Sequence, residues 1–517
     1  MTQSTQPKNN LQIDWKMFAT TVGVVLLISI PIIGFHNQAA IVVKEIYDFI
    51  TQTFGVVYLW YGAGVLVFLV WLAFSKYGNK RLGETDSQPE FKTLSWVGML
   101  FCSGVGAGLL YWAVLEWGYY LEAPPYGLEP RSIKATEWAS AYGLFHWGPT
   151  AWAIYCLPTI AIAYPYYVRK VPYLRLSSAV IKYLPRGVNS PRGRFVDFLF
   201  MINLIGGTGT SLGLSAPMIA GGFAMLFNIE HDFVLEVAVV ILSVCVFGTT
   251  AFLGLKKGFK RLSDLNVYLA FALLFFVLAV GPTMFILKVG TNSIGLVLQN
   301  FIRMNLWTDP IANSGFVENW TVFYWAWWIA YAPFVGIFVT RISKGRTIRQ
   351  VIGGMLIFGS LGAWIFFIVF GNYALHLELH NLLNITELMK QGSTETAAAI
   401  SQIIVSLPFG KVALAAFILV SLIFLATTYD SASFSLASVS TKELKAGENP
   451  ARWNRLFWAL TLGILPVALL FVDGGLKVIL STTIVVSLPL MFLGGFMASS
   501  LMKLLREDSE ENNTGKS

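Results

Sequence analysis

Residues 320–331 read Trp-Thr-Val-Phe-Tyr-Trp-Ala-Trp-Trp-Ile-Ala-Tyr, and the apolar run they open continues to Thr340 without a charge. A bilayer crossing needs about 20 predominantly apolar residues, so 320–340 has the length of one. Aromatic residues in such helices usually form belts at the membrane surfaces. Trp320, at the end of the run, fits a belt. Tyr324, Trp325, Trp327, Trp328 and Tyr331 lie too deep for one, so this crossing carries aromatic rings in its interior.

The pattern extends in both directions. Applying the same criterion of about 20 residues, about twelve spans are expected: 17–35, 55–74, 95–115, 139–164, 196–226, 233–254, 267–287, 320–340, 351–371, 411–437, 456–472 and 478–501. The shorter, amphipathic segment 291–305 is expected to lie along the interface. Of the 517 residues, 56% are apolar and 12% charged. Soluble domains carry about a quarter charged, so there is too little charge to coat soluble cores, and a soluble multidomain enzyme is excluded. The expected class is an all-α, multi-pass membrane protein in the lipid bilayer of the cell membrane (the inner membrane if the source is Gram-negative). The run at 17–35 has no small-residue cleavage site after it and is expected to be retained. Cys102, Cys156 and Cys245 all sit in apolar runs without paired spacing, which reads as packing.

The net charge of +8 is explained by topology. With both termini in the cytoplasm, roughly 28 of the basic residues fall on inside segments. These are 76–92, 169–194, 256–261, 341–349 and 442–455, plus the tail. The basic balance therefore requires no nucleic-acid partner.

Three runs carry chemistry. Residues 102–108 read Cys-Ser-Gly-Val-Gly-Ala-Gly. Glycines at 104, 106 and 108 suit either close helix packing or an unwound segment whose free N–H and C=O groups meet ions. In the fourth span Phe145-His146-Trp147-Gly148-Pro149 precedes Trp152 and Tyr155. On one continuous helix those three rings fall on one side, within an arc of about 140°. Together with the rings of 324–331 they suit a cage for a group that cannot hydrogen-bond, such as a quaternary ammonium, each ring face contributing about 0.5–2 kcal/mol. The tenth span contains Thr427-Thr428-Tyr429-Asp430-Ser431. Its hydroxyls suit either back-bonding to the preceding turn or a hard oxygen site for a small cation, and an intramembrane Asp430 is a functional suspect. His146, among rings, reads as a packing histidine. Glu116 and Glu122 are expected to be solvated at the outer mouth of the third span.

These motifs, together with Arg341-Ile-Ser-Lys-Gly-Arg-Thr347, resemble the betaine/choline/carnitine transporter (BCCT) family along nearly the whole chain. The resemblance implies a sodium-symporter-like core of two inverted five-helix repeats, usually in a homotrimer. The implied divisions are a cytoplasmic tail 1–16, two peripheral helices in 17–93 and a first repeat in 94–290. An interfacial helix and linker follow in 291–319, then a second repeat in 320–505 and a short cytoplasmic tail 506–517. It further implies that Trp147, Trp152, Tyr155, Trp327, Trp328 and Tyr331 hold a trimethylammonium group while the substrate's carboxylate faces the backbone at Gly104, Gly106 and Gly108. Na⁺ would be the coupling ion, held by the carbonyls of Cys102 and Val105 with Phe424, Thr427 and Thr428. No other cofactor and no transition metal is implied.

Other features resemble a sodium-independent branch that exchanges carnitine for γ-butyrobetaine. They are Glu116 with Tyr119-Tyr120, the run Ala123-Pro-Pro-Tyr-Gly-Leu-Glu-Pro130, and Trp320–Tyr324. That branch places an arginine early in span seven. Lys260, also readable as a cytoplasmic anchor, is the nearest match. A second sodium site would pair Thr208 with a hydroxyl at 204, where this chain has Leu204, so one site is expected. The brief tail argues against osmotic sensing. Enzyme chemistry has little to stand on: no histidine neighbours a credible nucleophile, and His376 with His380 lacks the intervening Glu of a zincin. The expected function is sodium-coupled uptake of a quaternary ammonium compound (glycine betaine, carnitine or choline-like), with substrate:product antiport as the alternative.

Overall fold

A computed structural model describes residues 12–84, 86–104, 106–253, 260–444, 448–470 and 475–514. Among the described residues the chain is helical, and the only pairings of extended backbone are isolated bridges, Ile13 with Thr441 and Arg81 with Thr347. The first two helices are α1 (Trp15–Gly34) and α2 (His36–Phe74). Next come α3 (Thr93–Gly104), α4 (Ala107–Glu122), α5 (Ile133–His146), α6 (Pro149–Tyr167) and a single turn, α7 (Leu176–Ala179). Then follow α8 (Pro191–Phe227), α9 (Phe233–Leu253), α10 (Lys260–Val280) and α11 (Thr283–Leu306). A π-helical turn, Val317–Val322, leads into α12 (Phe323–Ile342).

One long helix, Ile348–Leu379, follows. In it α13 (Ile348–Gly353), α14 (Ser360–Phe366) and α15 (Asn372–Leu379) are joined by π-helical Gly354–Gly359 and Phe367–Gly371. Short α16 (Ile385–Gln391) and α17 (Ser393–Val405) precede α18 (Gly410–Val439), α19 (Arg452–Leu470) and α20 (Gly475–Thr514).

Among the described residues, 9 helices are long and apolar enough to cross a membrane, where the sequence suggests about twelve. Two of the missing spans are interrupted. The third expected span divides into α3 and α4 around Gly106, whose φ of −81° and ψ of −168° are extended. The fourth divides into α5 and α6 at Gly148, also extended, followed by Pro149 in the first turn of α6. Proline suits that place because it lacks only an N–H that has no intrahelical partner there. Trp147 therefore caps α5 and does not share a helix with Trp152 and Tyr155. The amphipathic segment begins earlier than expected, as the 24-residue α11, because Pro282 ends the preceding run at 280.

Helix α12 is buried along its whole length. Its main partner is α6, itself buried from Thr150 to Tyr167. A helix hydrophobic on every side belongs in the centre of a bundle, and these two form the central post against which α2, α8, α18 and α20 lie. Glycine permits the close approaches around it. The backbone of Gly359 lies under the Trp152 ring, so that a Cβ there would sit 2.2 Å from it.

Of the basic loops expected to share one side, 256–261 lies mostly outside the described residues, and 76–92, 169–194, 341–349 and 442–455 meet with the tail at one end of the bundle. Arg81 donates to the Gly345 carbonyl at 2.9 Å, Arg175 to the Lys442 carbonyl at 2.7 Å, and Arg169 and Lys182 pair with Asp508 and Glu507 on α20. At the opposite end Arg131 bridges Glu122 and Glu378, and Lys390 lies 2.8 Å from Glu122. Desolvation alone would raise the Glu122 carboxyl. Hydrogen bonds from Lys390 and Arg131 outweigh it and hold Glu122 below the usual carboxylate range.

The Gly359–Trp152 contact yields a first expectation. Gly359→Ala forces the indole or the π turn aside and costs roughly 1–3 kcal/mol, as overpacking does. A melting curve in detergent would show a lower midpoint; an unchanged midpoint would mean this approach does not limit packing.

Candidate functional site

The buried aromatic rings of α12 meet those at the α5–α6 break. Trp327 and Trp328 are stacked, with ring centroids 5.0 Å apart and planes inclined by 10°. Trp147 presents its edge to Trp328 at 4.7 Å and to Trp327 at 6.2 Å. Tyr155 is edge-on to Trp328 at 5.6 Å, and Tyr331 to Trp327 at 6.2 Å.

These five residues, with Gly106, Gly108, Leu109, Ser211 and Thr428, line one cavity of about 20 Å³, roughly what a single water molecule needs. Hydrogen bonds fix part of the wall. The Trp328 indole N–H donates to the His146 carbonyl at 2.9 Å, and the Tyr331 hydroxyl lies 2.7 Å from both the Gly207 carbonyl and Ser211 Oγ. Among the described residues, Tyr155 Oη and Trp327 Nε1 are buried without a partner. Buried polar atoms are normally satisfied, so both are free to bind something polar.

One wall of the cavity is the break between α3 and α4. Gly106 is required there by proximity: a Cβ would lie 2.6 Å from Thr428 Oγ1. The N-terminus of α4, whose first amides have no intrahelical partner, thus opens at the cavity beside α18.

Helix α18 itself is continuous from Gly410 to Val439, in contrast to the broken third span. Thr427 Oγ1 donates to the Ile423 and Phe424 carbonyls, both at 3.0 Å, and Thr428 Oγ1 to the Phe424 carbonyl at 2.9 Å. Such back-bonds weaken or bend a helix only slightly, and α18 stays intact. Thr208 Oγ1 likewise donates to the Leu204 carbonyl at 2.8 Å.

The structure therefore gathers Trp147, Tyr155, Trp327, Trp328, Tyr331, Gly106, Gly108 and Thr428. Trp152 stands apart, packed over Gly359 and edge-on to Tyr155 at 5.7 Å. Gly104 ends α3, Cys102 lies in the last turn of α3, and Val105 falls outside the described residues. Asp430 is buried with Oδ2 unpartnered.

Glu116 corrects an expectation. Far from being solvated, it is 0% exposed, because α4 packs its middle against α5 and the start of α12. Tyr120 donates to Oε1, and Oε2 accepts from the Tyr324 hydroxyl at 2.5 Å and the Trp147 indole N–H at 3.1 Å. The i,i+4 pair Glu116–Tyr120 was visible in the sequence. Its partners 31 and 208 positions away were not.

Residues 16–510 match the family model for betaine/carnitine/choline transporters. The chain belongs to the BCCT family. BCCT members are transporters, and this chain is accordingly a transporter and not an enzyme. It is 39% identical over 440 residues, 85% of its length and 91% of the relative's, to "Uncharacterized transporter YeaV" of Escherichia coli strain K12. It is 36% identical over 497 residues, 95% of its length and 89% of the relative's, to a "Carnitine transporter" of Acinetobacter baumannii. The solved structure of a substrate-bound, outward-open Na⁺-coupled sialic acid symporter aligns with 86% of this chain and 85% of its own. Its identity is 12% and its TM-score 0.42, a likeness that carries no argument here.

The Gly106–Thr428 approach gives a second expectation. Gly106→Ala lowers thermal stability by roughly 1–3 kcal/mol through overpacking, and adding Thr428→Ala removes most of that cost. Equal costs in both backgrounds would show that the two residues do not press on each other.

Proposed function

We propose that this transporter moves a trimethylammonium compound bearing a carboxylate, of the carnitine or betaine kind, by alternating access, with Na⁺ as the coupling ion. The observation that carries the reading is the convergence of Trp147, Tyr155, Trp327, Trp328 and Tyr331 on one buried cavity without a lysine or arginine in its lining. A methylated nitrogen offers no N–H donors and a diffuse charge, so ring faces attract it while costing little in lost hydration. The carboxylate end would find donors at the start of α4 and in the unpartnered Tyr155 hydroxyl and Trp327 indole N–H. The relative named as a carnitine transporter supports the same substrate class.

Sodium would sit beside the cage, held by Thr427, Thr428 and the Phe424 carbonyl on α18 together with the Cys102 carbonyl on α3, two helices that pack on each other. Hydroxyl and carbonyl oxygens are the donors a small hard cation takes. An ion bridging α3 and α18 would steady the cavity wall at Gly106 and so favour substrate. In this reading the protein is multi-pass with both termini cytoplasmic, built on two inverted repeats, and assembles as a homotrimer.

Three outcomes test it. Proteoliposomes with an inward Na⁺ gradient should accumulate labelled carnitine or betaine. Uptake indifferent to Na⁺ but dependent on counter-substrate inside would replace symport by exchange. Trp327→Ala should cost about 1–3 kcal/mol of substrate affinity through lost cation–π attraction and packing; wild-type binding by that variant would remove this ring from the site. Tyr155→Phe should weaken carboxylate-bearing substrates several-fold, the worth of one hydrogen bond to a charged group, and leave choline unchanged. Equal effects on both would place the carboxylate elsewhere.

A further inference from the structure

Glu116 has no part in the reading above, yet it touches the cage through two of its three donors. Trp147 is a cage wall, and its N–H points at Glu116 Oε2 at 3.1 Å. Tyr324, whose hydroxyl donates to the same oxygen at 2.5 Å, lies in a stack on Trp328, with centroids 5.6 Å apart and planes at 27°. It also tilts against Trp327 at 6.0 Å. Each of these contacts gives Glu116 a donor, and an ionised carboxylate is an acceptor at both oxygens.

The nearest group that could cancel its charge is His146, with Nδ1 3.7 Å from Glu116 Oε1. Tyr120 Oη lies between them, 2.8 Å from Nδ1. Since Tyr120 gives its one proton to Glu116, Oη must accept from Nδ1–H. Nε2, 3.1 Å from Thr321 Oγ1, can accept the threonine proton, and with that partner the imidazole is neutral. In that state no described side chain that Glu116 touches compensates its negative charge.

We infer that Glu116 is the counter-charge of the cage. Through the Trp147 N–H and the Tyr324 hydroxyl its carboxylate makes the rings it holds more negative, so the cavity prefers a cation to a neutral molecule of the same shape. The chemistry is that of an N–H or O–H bonded to an anion: the bond shifts electron density into the ring, strengthening the quadrupole that a cation sees. The charge itself adds a field that burial screens little. This makes Glu116 a specificity-determining residue behind the rings rather than a ligand. It rests on the trimethylammonium reading of the cavity.

The test compares full-length purified protein binding choline, a trimethylammonium cation without a carboxylate, and its tert-butyl isostere 3,3-dimethylbutan-1-ol, which has the same shape without the charge. Glu116→Gln should weaken the charged ligand about tenfold and leave the neutral one within about twofold, collapsing the wild-type preference. A Gln variant that loses both ligands equally, or neither, overturns the inference, because a merely structural carboxylate would not move the ratio. Should that variant fail to elute as a folded protein, Tyr324→Phe keeps the ring and removes one link to Glu116. It should shift the same ratio in the same direction by a smaller factor, and an unchanged ratio overturns the inference as well. Wild-type protein that binds neither ligand would instead remove the trimethylammonium reading, and this inference with it.

Discussion

Everything in this molecule is arranged around a helix with no outside. From Phe323 to Ile342 every position of α12 is buried, which in a membrane means buried in protein rather than in lipid. Association of helices in lipid lacks the hydrophobic drive available in water and depends on packing and on internal hydrogen bonds. The α6–α12 contact supplies the packing through large flat rings on one side and small residues on the other. A Cβ at Gly336 would touch the backbone of Pro158 and Thr159 at about 3 Å. Thr340 donates to the Thr159 carbonyl at 3.1 Å, adding a polar pin near one end.

That post lets the surrounding spans be irregular. Backbone can leave the helix at membrane depth only where protein supplies the missing partners. Both breaks, at Gly106 and at Gly148, abut α12 or its aromatic partners. The Trp328 and Trp364 indoles donate to the carbonyls of His146 and Leu144 in the last turn of α5, satisfying acceptors that the broken helix leaves free. Interior tryptophan thus has two roles: its rings make the cavity, and its N–H groups hold open the chain interruption that gives the cavity a wall.

Much of this was legible in the sequence because it is local. Apolar run length gave most of the spans, and the interior position of Trp327, Trp328 and Tyr331 marked one wall of the cavity. The glycine run at 104–108 marked a break. What was illegible depends on contacts across the chain. Glu116 looked like a mouth residue because its burial comes from Tyr324 and Trp147, which nothing local pairs with it. Trp152 looked like a cage residue because its spacing from Trp147 assumed a continuous helix, whereas Gly148 and Pro149 break it and turn Trp152 toward Gly359. In α18 the hydroxyl cluster allowed two readings, back-bonding to the preceding turn or a cation site. Two threonines bonding back to the preceding turn cost α-helical geometry little, and the helix persists.

The size of the cavity has a thermodynamic consequence. At about 20 Å³ it is too small for three methyl groups on a nitrogen, so on the proposed reading the stacked pair Trp327–Trp328 and the edges of Trp147 and Tyr331 would have to part before such a group enters. Any measured dissociation constant is then the intrinsic one divided by the fraction of molecules whose rings already stand apart. A substitution that loosens the stack without touching the guest would tighten apparent binding, and one that strengthens it would make a well-matched guest look like a poor one.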